Sequence, residues 1–192
     1  MPSVPLPVVI ASVLERMEAL IATFDAQIAA VEQEIEQVLS QDAAWATTAT
    51  LLLSITGIGL LTAAWLLVTT LNFTIYATAE EATAYAGLAP HPYESGTRVR
   101  GRAAIGHGGN GRLRTALYLA TLSAAQHNPH ITPFYERLRA AGKPKKVARC
   151  AAARTLLYLA WAVATTGVAF DPTRHITPAR AAPPEAPALC PT

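Results

Sequence analysis

Residues 85–114 read YAGLAPHPYESGTRVRGRAAIGHGGNGRLR, and the organisation of the chain is clearest outward from this stretch. The stretch begins with mostly apolar residues and is then interrupted by two prolines. Ser95 precedes a glycine, and three arginines follow at alternate positions, Arg98, Arg100 and Arg102. Alternate side chains of an extended segment lie on one side, and guanidinium groups bind phosphate oxygens in a bidentate manner. The pattern therefore predicts an irregular basic loop that binds a phosphate-bearing ligand. A solvated basic loop is the alternative interpretation.

Basic residues are concentrated around this stretch. Residues 91–154 hold twelve of the fifteen Lys and Arg and two acidic residues, whereas residues 1–90 hold one basic and nine acidic residues. Such a segment is typical of a surface that contacts a polyanion, and nucleic acid is the partner that we expect.

Two predicted helices carry the remaining candidate contacts. The first begins at Asn110 or Gly111 and ends near Gln126, and the last spans about residues 147–168 behind the lysines of KPKK. Lysines at a helix N-terminus oppose the helix dipole, so a bound anion is the favoured interpretation there and a solvated helix end is the alternative. The candidate DNA-contacting residues are Gly57, Gly59, Arg98, Arg100, Arg102, Asn110, Arg112, Arg114, Lys143, Lys145, Lys146 and Arg149.

The N-terminal part has a heptad pattern. Apolar residues alternate at three- and four-residue spacing from Ile10 to Val38, with Leu14, Ile21, Ile28 and Ile35 at one position. Sustained heptad spacing predicts a coiled-coil helix that joins copies of the chain into a homo-oligomer. Packing against the chain's own helices would leave a similar stripe.

Residues 43–79 contain no charged residue, and residues 51–71 alone are long enough to span a bilayer. However, Gly57 and Gly59 interrupt the run, and no Lys or Arg flanks it to set an orientation. The run also divides into two short helices joined at residues 56–59, the pattern of a helix-hairpin-helix whose backbone N–H groups hold phosphate. We favour the hairpin over a membrane span, and a plain helical turn is the third interpretation.

These patterns predict a mainly all-α chain: a coiled-coil helix, then a compact helical domain containing the helix-hairpin-helix and the irregular basic loop. The predicted domains are residues 1–42, 43–170 and a disordered proline-rich tail, 171–192. Cys150 and Cys190 have no metal-type or redox-type neighbours, so we expect free thiols and a cytoplasmic protein. The first residues lack the pattern of a signal peptide.

Five blocks occur in order: SITGIGLLTAA (54–64), YAGLAP (85–90), YESGTRVRG (93–101), GNGRLR (109–114) and FYERLRAAGKPKKVA (134–148). Together, over about residues 48–168, they resemble the C-terminal domain of the bacterial insertion-sequence transposases grouped as 110/116/902. The resemblance implies a mostly helical DNA-binding domain with Ser95 as its serine nucleophile. It also implies a preceding coiled coil for oligomerisation and, in some members, direction by a guide RNA.

The sequence departs from this family in two respects. Family members carry an RNase-H-like domain with metal-binding acidic residues ahead of the coiled coil, which this sequence lacks. We therefore expect a truncated or split transposase that binds no cofactor itself and needs Mg²⁺ only together with that domain. His107, Gly108 and Thr155 stand where basic residues are usual, which predicts weaker phosphate binding.

The function predicted is DNA transposition by a DNA-binding transposase or recombinase domain, with autonomous activity left open. Ser95 would attack a phosphodiester while the alternating arginines stabilise charge on the phosphoryl oxygens. His91 and His107 are the nearest candidate bases, although a surface role is favoured for both, and we expect Glu94 to pair with an arginine. The alternatives are a non-catalytic nucleic-acid-binding or regulatory module and, less favoured, a small membrane protein.

Overall fold

The computed structural model describes residues 6–91, 94–95, 99–100, 104–105 and 108–173, with the backbone alone for 6–9, 91, 94–95, 99–100 and 104–105. These residues form seven helices and four two-residue strands. The mainly helical fold class is therefore confirmed. The chain divides into two compact units, Met1–Ala46 and Thr47–Thr192, and the proposed domain boundaries at 42/43 and 170/171 remain predictions.

The first unit is built on a single long helix, α1 (Leu6–Ser40). Its heptad residues are more than half exposed from Ile10 to Val38, with exposed fractions of 52% and 63% at those two ends, whereas Ile35 is half-buried. The helix expected from the heptad pattern is present, and most of its apolar seam has no covering within one chain.

The second unit contains the remaining helices. They are α2 (Ala43–Leu53), whose first residues belong to the first unit, and then α3 (Leu60–Thr70), α4 (Ala79–Tyr85), α5 (Gly111–His127), α6 (Ile131–Ala140) and α7 (Lys145–Thr166). Helices α5 and α7 lie at the centre, because α3, α6 and α7 pack on α5, and α4 and α6 pack on α7. The predicted limits of α5 and α7 agree with these within about two residues.

Small residues allow the two central helices to approach closely. Ala120 and Ala124 are buried on α5, and Ala148, Ala152 and Ala160 are buried on α7. Leucines fill the space around them and are fully buried at Leu113, Leu117, Leu156 and Leu157. Burial of side chains of this size is the main stabilising contribution in a domain of this kind.

The apolar run of residues 51–71 is divided between α2 and α3 by the turn at 54–59. The side chain of Asn128, which is fully buried, holds this turn: its Nδ2 donates to the Thr56 carbonyl oxygen at 2.8 Å, and its Oδ1 accepts from the His130 and Ile131 N–H groups. The hydroxyl of Ser54 accepts from the Phe170 N–H at 2.8 Å. The turn is thus fixed to the end of α5 and to the residues after α7.

An unusual left-handed turn follows α3. Leu71, Asn72 and Phe73 have φ values of 45°, 55° and 61°, a conformation that non-glycine residues adopt rarely. Phe73 is buried against Trp161 with ring centroids 5.5 Å apart, and its N–H donates to the Thr70 hydroxyl at 2.9 Å. Tertiary packing of this ring explains why the chain tolerates the turn.

Within the stretch expected as an irregular basic loop, the structure describes four short strands. β1 (Pro90–His91) pairs antiparallel with β4 (Ala104–Ile105), and β2 (Glu94–Ser95) pairs antiparallel with β3 (Val99–Arg100). Each strand has two residues, and the connections between the strands lie outside the described residues. Proline and glycine in this stretch indicated a loop, so these strand pairs were not predicted.

Among the described residues, α7 is the one helix whose length and composition would suit a bilayer span. Of its most apolar 18 residues, 44% are buried within the domain. That burial is explained by its packing against α4, α5 and α6.

Candidate nucleic-acid interface

The paired strands leave the helical domain through a narrow neck formed by residues 85–87 and 108–110. The Asn110 N–H donates to the Tyr85 carbonyl oxygen at 2.7 Å, and the Asn110 Nδ2 donates to the Tyr85 hydroxyl at 3.2 Å. From α5, the Arg114 Nη1 donates to the carbonyl oxygens of Gly108 at 2.9 Å and Gly87 at 3.4 Å. One asparagine and one arginine therefore tie both sides of the neck together.

The neck requires glycine at two positions. Gly87 and Gly109 have φ values of +69° and +84°, which side-chain-bearing residues rarely adopt. A Cβ atom on Gly109 would lie 2.5 Å from the Tyr85 carbonyl oxygen, and one on Gly87 would collide with the Arg114 guanidinium and the Gly108 carbonyl. The neck thus depends on close backbone approach.

The side chain of Asn110 is also the N-cap of α5. Its Oδ1 accepts from the N–H groups of Arg112 and Leu113, both at 3.1 Å. This is the usual role of asparagine at a helix start. Most of its hydrogen-bonding capacity is used within the chain, so Asn110 is a structural residue first, and its DNA contact remains a prediction.

The neck is lined on one side by a pair of tyrosines. The rings of Tyr76 and Tyr85 are 5.2 Å apart between centroids. Partial burial, and then the neighbouring Tyr85, raise the pKa of Tyr76 above its ordinary value. Both effects favour the neutral phenol of Tyr76.

Arg114 also faces α7. Burial raises the pKa of the Cys150 thiol, while the nearby Arg114 guanidinium opposes that rise. Further along α7, the Arg154 Nη2 donates to the Tyr158 hydroxyl at 3.2 Å, and that hydroxyl donates to the Glu80 carboxylate at 3.4 Å. This row joins α7 to α4. Arg114 has a positioning role through its hydrogen bonds to the neck carbonyls, and its DNA contact remains a prediction.

Arg112 differs from Arg114 because its side chain is exposed. Its guanidinium carbon lies 5.9 Å from the centroid of the Trp65 ring. Arg112 and Trp65 line an open groove of about 640 Å³. Its other lining residues are Leu61, Asn110, Gly111, Thr115, Ala116 and Leu119. Trp65 was not among the residues that we selected from the sequence, where the only signal was an aromatic residue inside an apolar helix.

A second cationic cluster surrounds the turn between α6 and α7. Lys143, Lys145 and Lys146 are exposed there, as predicted from the sequence. Arg137 and Arg139 in the last turn of α6 join them, and the Arg139 Nη1 donates to the Lys143 carbonyl oxygen. We did not select these two arginines from the sequence, although they are two residues apart and shortly precede the lysine cluster. Arg149, one turn further on, is half-buried.

The two glycines of the turn between α2 and α3, Gly57 and Gly59, have different surroundings. Gly57 has φ +103°, and a Cβ atom there would lie 2.5 Å from the Ala124 Cβ of α5, whereas a Cβ on Gly59 would meet no atom within 4 Å. Gly57 is therefore required by its backbone conformation and by packing against α5, and its DNA contact remains a prediction. Gly59 is exposed at the N-cap of α3 without a side-chain cap, and phosphate binding by this turn remains a prediction.

The described backbone places Ser95 opposite Val99 and Arg100 opposite Glu94. Arg98, Arg102 and His107 lie outside the described residues, and the predicted roles of Ser95 and of the three arginines remain predictions. Within the part of the chain that the structure describes, no group of three or more His, Cys, Asp or Glu side chains could hold a metal ion. The expectation that Mg²⁺ is needed only together with a further domain remains a prediction.

This helical domain, with its neck and its exposed cations, is similar in sequence to a known class of domain, the transposase domains. Residues 49–136 match the sequence model of the Transposase IS116/IS110/IS902 family. This segment is a transposase domain of that family, and the resemblance found in the sequence is confirmed.

Relatives that match the chain come from several bacteria. The Insertion element IS110 uncharacterized 43.6 kDa protein of Streptomyces coelicolor is 36% identical over 120 residues, which cover 62% of this chain and 29% of that protein. The pilin gene-inverting protein of Moraxella lacunata is 34% identical over 128 residues, covering 66% and 40%. The Insertion element IS900 uncharacterized 42 kDa protein of Mycobacterium paratuberculosis is 29% identical over 163 residues, covering 84% and 40%. The chain thus spans well under half the length of each.

The two hairpin glycines allow a test of packing against phosphate binding. We expect Gly57→Ala to lower the free energy of unfolding by about 2 kcal/mol or more, because the new Cβ is strained and meets Ala124. Gly59→Ala is the matched control and should change it by less than about 0.5 kcal/mol. Urea titration measures both values. Equal losses in the two variants would contradict the packing role of Gly57.

Proposed function

We propose that this chain acts in DNA transposition or site-specific inversion as the DNA-binding part of a transposase-type recombinase. The observation that carries the proposal is the neck, which joins the segment containing the strand pairs to a helical domain that matches this transposase family. The pilin gene-inverting relative bears a name that describes DNA rearrangement. A domain with this family match and twelve clustered cations is suited to a polyanionic substrate.

DNA would contact two groups of cations in this proposal. The first contains Arg98, Arg100 and Arg102, which alternate in the sequence, and Arg112 at the start of α5. The second contains the lysines and arginines at the turn between α6 and α7. Contacts of Lys and Arg with phosphate position nucleic acid without reading its sequence. The same contacts would accept RNA phosphate, so a guide RNA is retained as a second proposed partner.

Ser95 is the proposed nucleophile. Its hydroxyl oxygen would form a bond to a DNA phosphorus atom as the bond to the leaving 3′ or 5′ oxygen breaks, and the departing strand end would take up the proton. A second strand end would then reverse the step and release the serine. The supporting observation is that β2 and β3 pair Ser95 with Val99, the residue before Arg100, and arginines near the reacting phosphate would stabilise phosphoryl charge.

The long helix α1 is the proposed site of self-association. Its apolar seam is more than half exposed along most of its length, and acidic residues flank it. Apolar seams with a heptad repeat are buried when helices of two or more copies pair. Association would place two or more DNA-binding units in one complex, which suits a reaction that joins separate DNA ends.

We expect the purified chain to bind a short duplex DNA with an affinity that falls steeply as salt is raised. The Arg98→Ala/Arg100→Ala/Arg102→Ala variant should lower the slope of log affinity against log salt by about two to three, since each phosphate contact contributes about 0.9. Fluorescence anisotropy across a salt series measures the slope. An Arg16→Ala variant, which removes one cation from α1, is the control.

The Ser95→Ala variant separates binding from chemistry in the same assay. Its slope should equal that of the unsubstituted chain because the hydroxyl carries no charge. A serine-linked DNA adduct, sought with a nicked substrate and added Mg²⁺, should form with the unsubstituted chain and not with Ser95→Ala. An unchanged slope in the triple-arginine variant would contradict DNA binding by the paired strands.

Self-association through α1 has its own test. We expect sedimentation velocity to show an oligomer for the unsubstituted chain and a monomer for Ile21→Asp/Ile28→Asp, because a buried seam excludes unpaired carboxylates. Ala22→Asp/Ala29→Asp introduces the same charges one residue away from the seam and should leave the oligomer intact. Two variants with the same sedimentation coefficient would argue against the seam as the contact.

A further inference from the structure

The open groove between α3 and α5 has no role in the account given so far. Its walls are aliphatic at Leu61, Ala116 and Leu119, and its floor includes the indole of Trp65. Leu61 and Leu119 are 56% and 54% exposed, so solvent meets an apolar surface next to an aromatic ring. Apolar surface of this kind on a folded domain commonly marks a binding site.

The groove carries positive charge and no carboxylate. Arg112 lies over the Trp65 ring with 5.9 Å between its guanidinium carbon and the ring centroid. None of the residues that line the groove is acidic, and within the described residues Arg112 forms no ion pair. An apolar helix docked here would cover this guanidinium without supplying a partner, which is costly. A flat ligand with an attached anion would cover the apolar surface at Trp65 and pair with the Arg112 guanidinium.

The position of the groove also favours a nucleic-acid ligand. Asn110 lines it and at the same time donates its N–H to the Tyr85 carbonyl oxygen in the neck. The groove therefore begins where the arginine-rich paired strands join the helices. DNA bound to the β-strands would therefore also pass close to the groove, because Asn110 belongs to both the neck and the groove.

We propose that this groove binds an unpaired nucleobase of the DNA, with its ring against Trp65 and Arg112 and its 5′ or 3′ phosphate at the Arg112 guanidinium. Aromatic side chains and arginine planes are the usual stacking partners of unstacked bases. Strand exchange requires local loss of base pairing, so a site for one unpaired base would hold the DNA open. This inference rests on the proposed DNA-binding function and adds a ligand subsite to it.

The test compares two duplexes that differ in one unpaired base. One duplex carries a single bulged 2-aminopurine, and the other has the same base paired. We expect the unsubstituted chain to bind the bulged duplex about fivefold to tenfold more tightly, as expected for stacking of one base. The fluorescence of the bulged 2-aminopurine should fall on binding because the base stacks.

Variants of the groove assign this preference to its residues. Trp65→Ala should abolish the preference and the fluorescence change while leaving affinity for the paired duplex within about twofold. Trp65→Phe retains a stacking surface and should restore most of the preference. Arg112→Ala should weaken binding of both duplexes and lower the salt slope by about one. Val68→Ala, an exposed apolar residue of α3 outside the groove, is the matched control and should bind as the unsubstituted chain does.

Each outcome has a distinct meaning. No preference for the bulged duplex, or a preference that survives in Trp65→Ala, overturns the inference and leaves DNA binding intact. A Trp65→Ala variant that sediments differently but keeps its DNA preference shows that the groove contacts another protein segment, which also overturns it. Failure of the unsubstituted chain to bind either duplex overturns the proposed function itself. Circular dichroism of Trp65→Phe checks that the fold is retained.

Discussion

The close approach of residues 85–87 to residues 108–110 is the constraint on which the functional part of this chain depends. Two glycines with positive φ allow it, and Asn110 and Arg114 hold it with hydrogen bonds to the backbone of both sides. Strand pairs of two residues are too short to be stable alone. Their position therefore depends on the helices from which they emerge.

Helix α5 connects this constraint to the rest of the domain. Its N-cap Asn110 and its first turn, through Arg114, hold the neck, its middle packs in the core, and its C-cap Asn128 holds the turn between α2 and α3. Ala124 on the same helix lies where a side chain on Gly57 would have to fit. One helix thus fixes both stretches that we selected as candidate DNA contacts. Asn110 and Asn128 at the two ends of this helix, and Gly57 facing it, therefore have structural roles.

Much of this fold could be predicted from the sequence because its helices carry local signals. The heptad repeat of α1 and the apolar face of α5 are patterns within one segment, and Asn110 is a common N-cap residue. The strand pairs were not predicted because their prolines and glycines indicate a loop. The packing of Gly57 near Ala124 involves residues far apart in sequence, so no local pattern reveals it. The same holds for the hydrogen bonds of Arg114 to two carbonyl oxygens, and the DNA contacts of Gly57 and Arg114 remain predictions.

Amide hydrogen exchange at Asn110 tests the central claim most directly. Its N–H donates to the Tyr85 carbonyl oxygen across the neck, outside any helix. If the neck fixes the paired strands, this amide should exchange as slowly as the amide of Leu117 in the core of α5, because both then open only when the domain unfolds. Exchange of the Asn110 amide at the rate of an unprotected peptide, while Leu117 stays protected, would contradict the claim and show that the arginine-rich segment is not held by the helices.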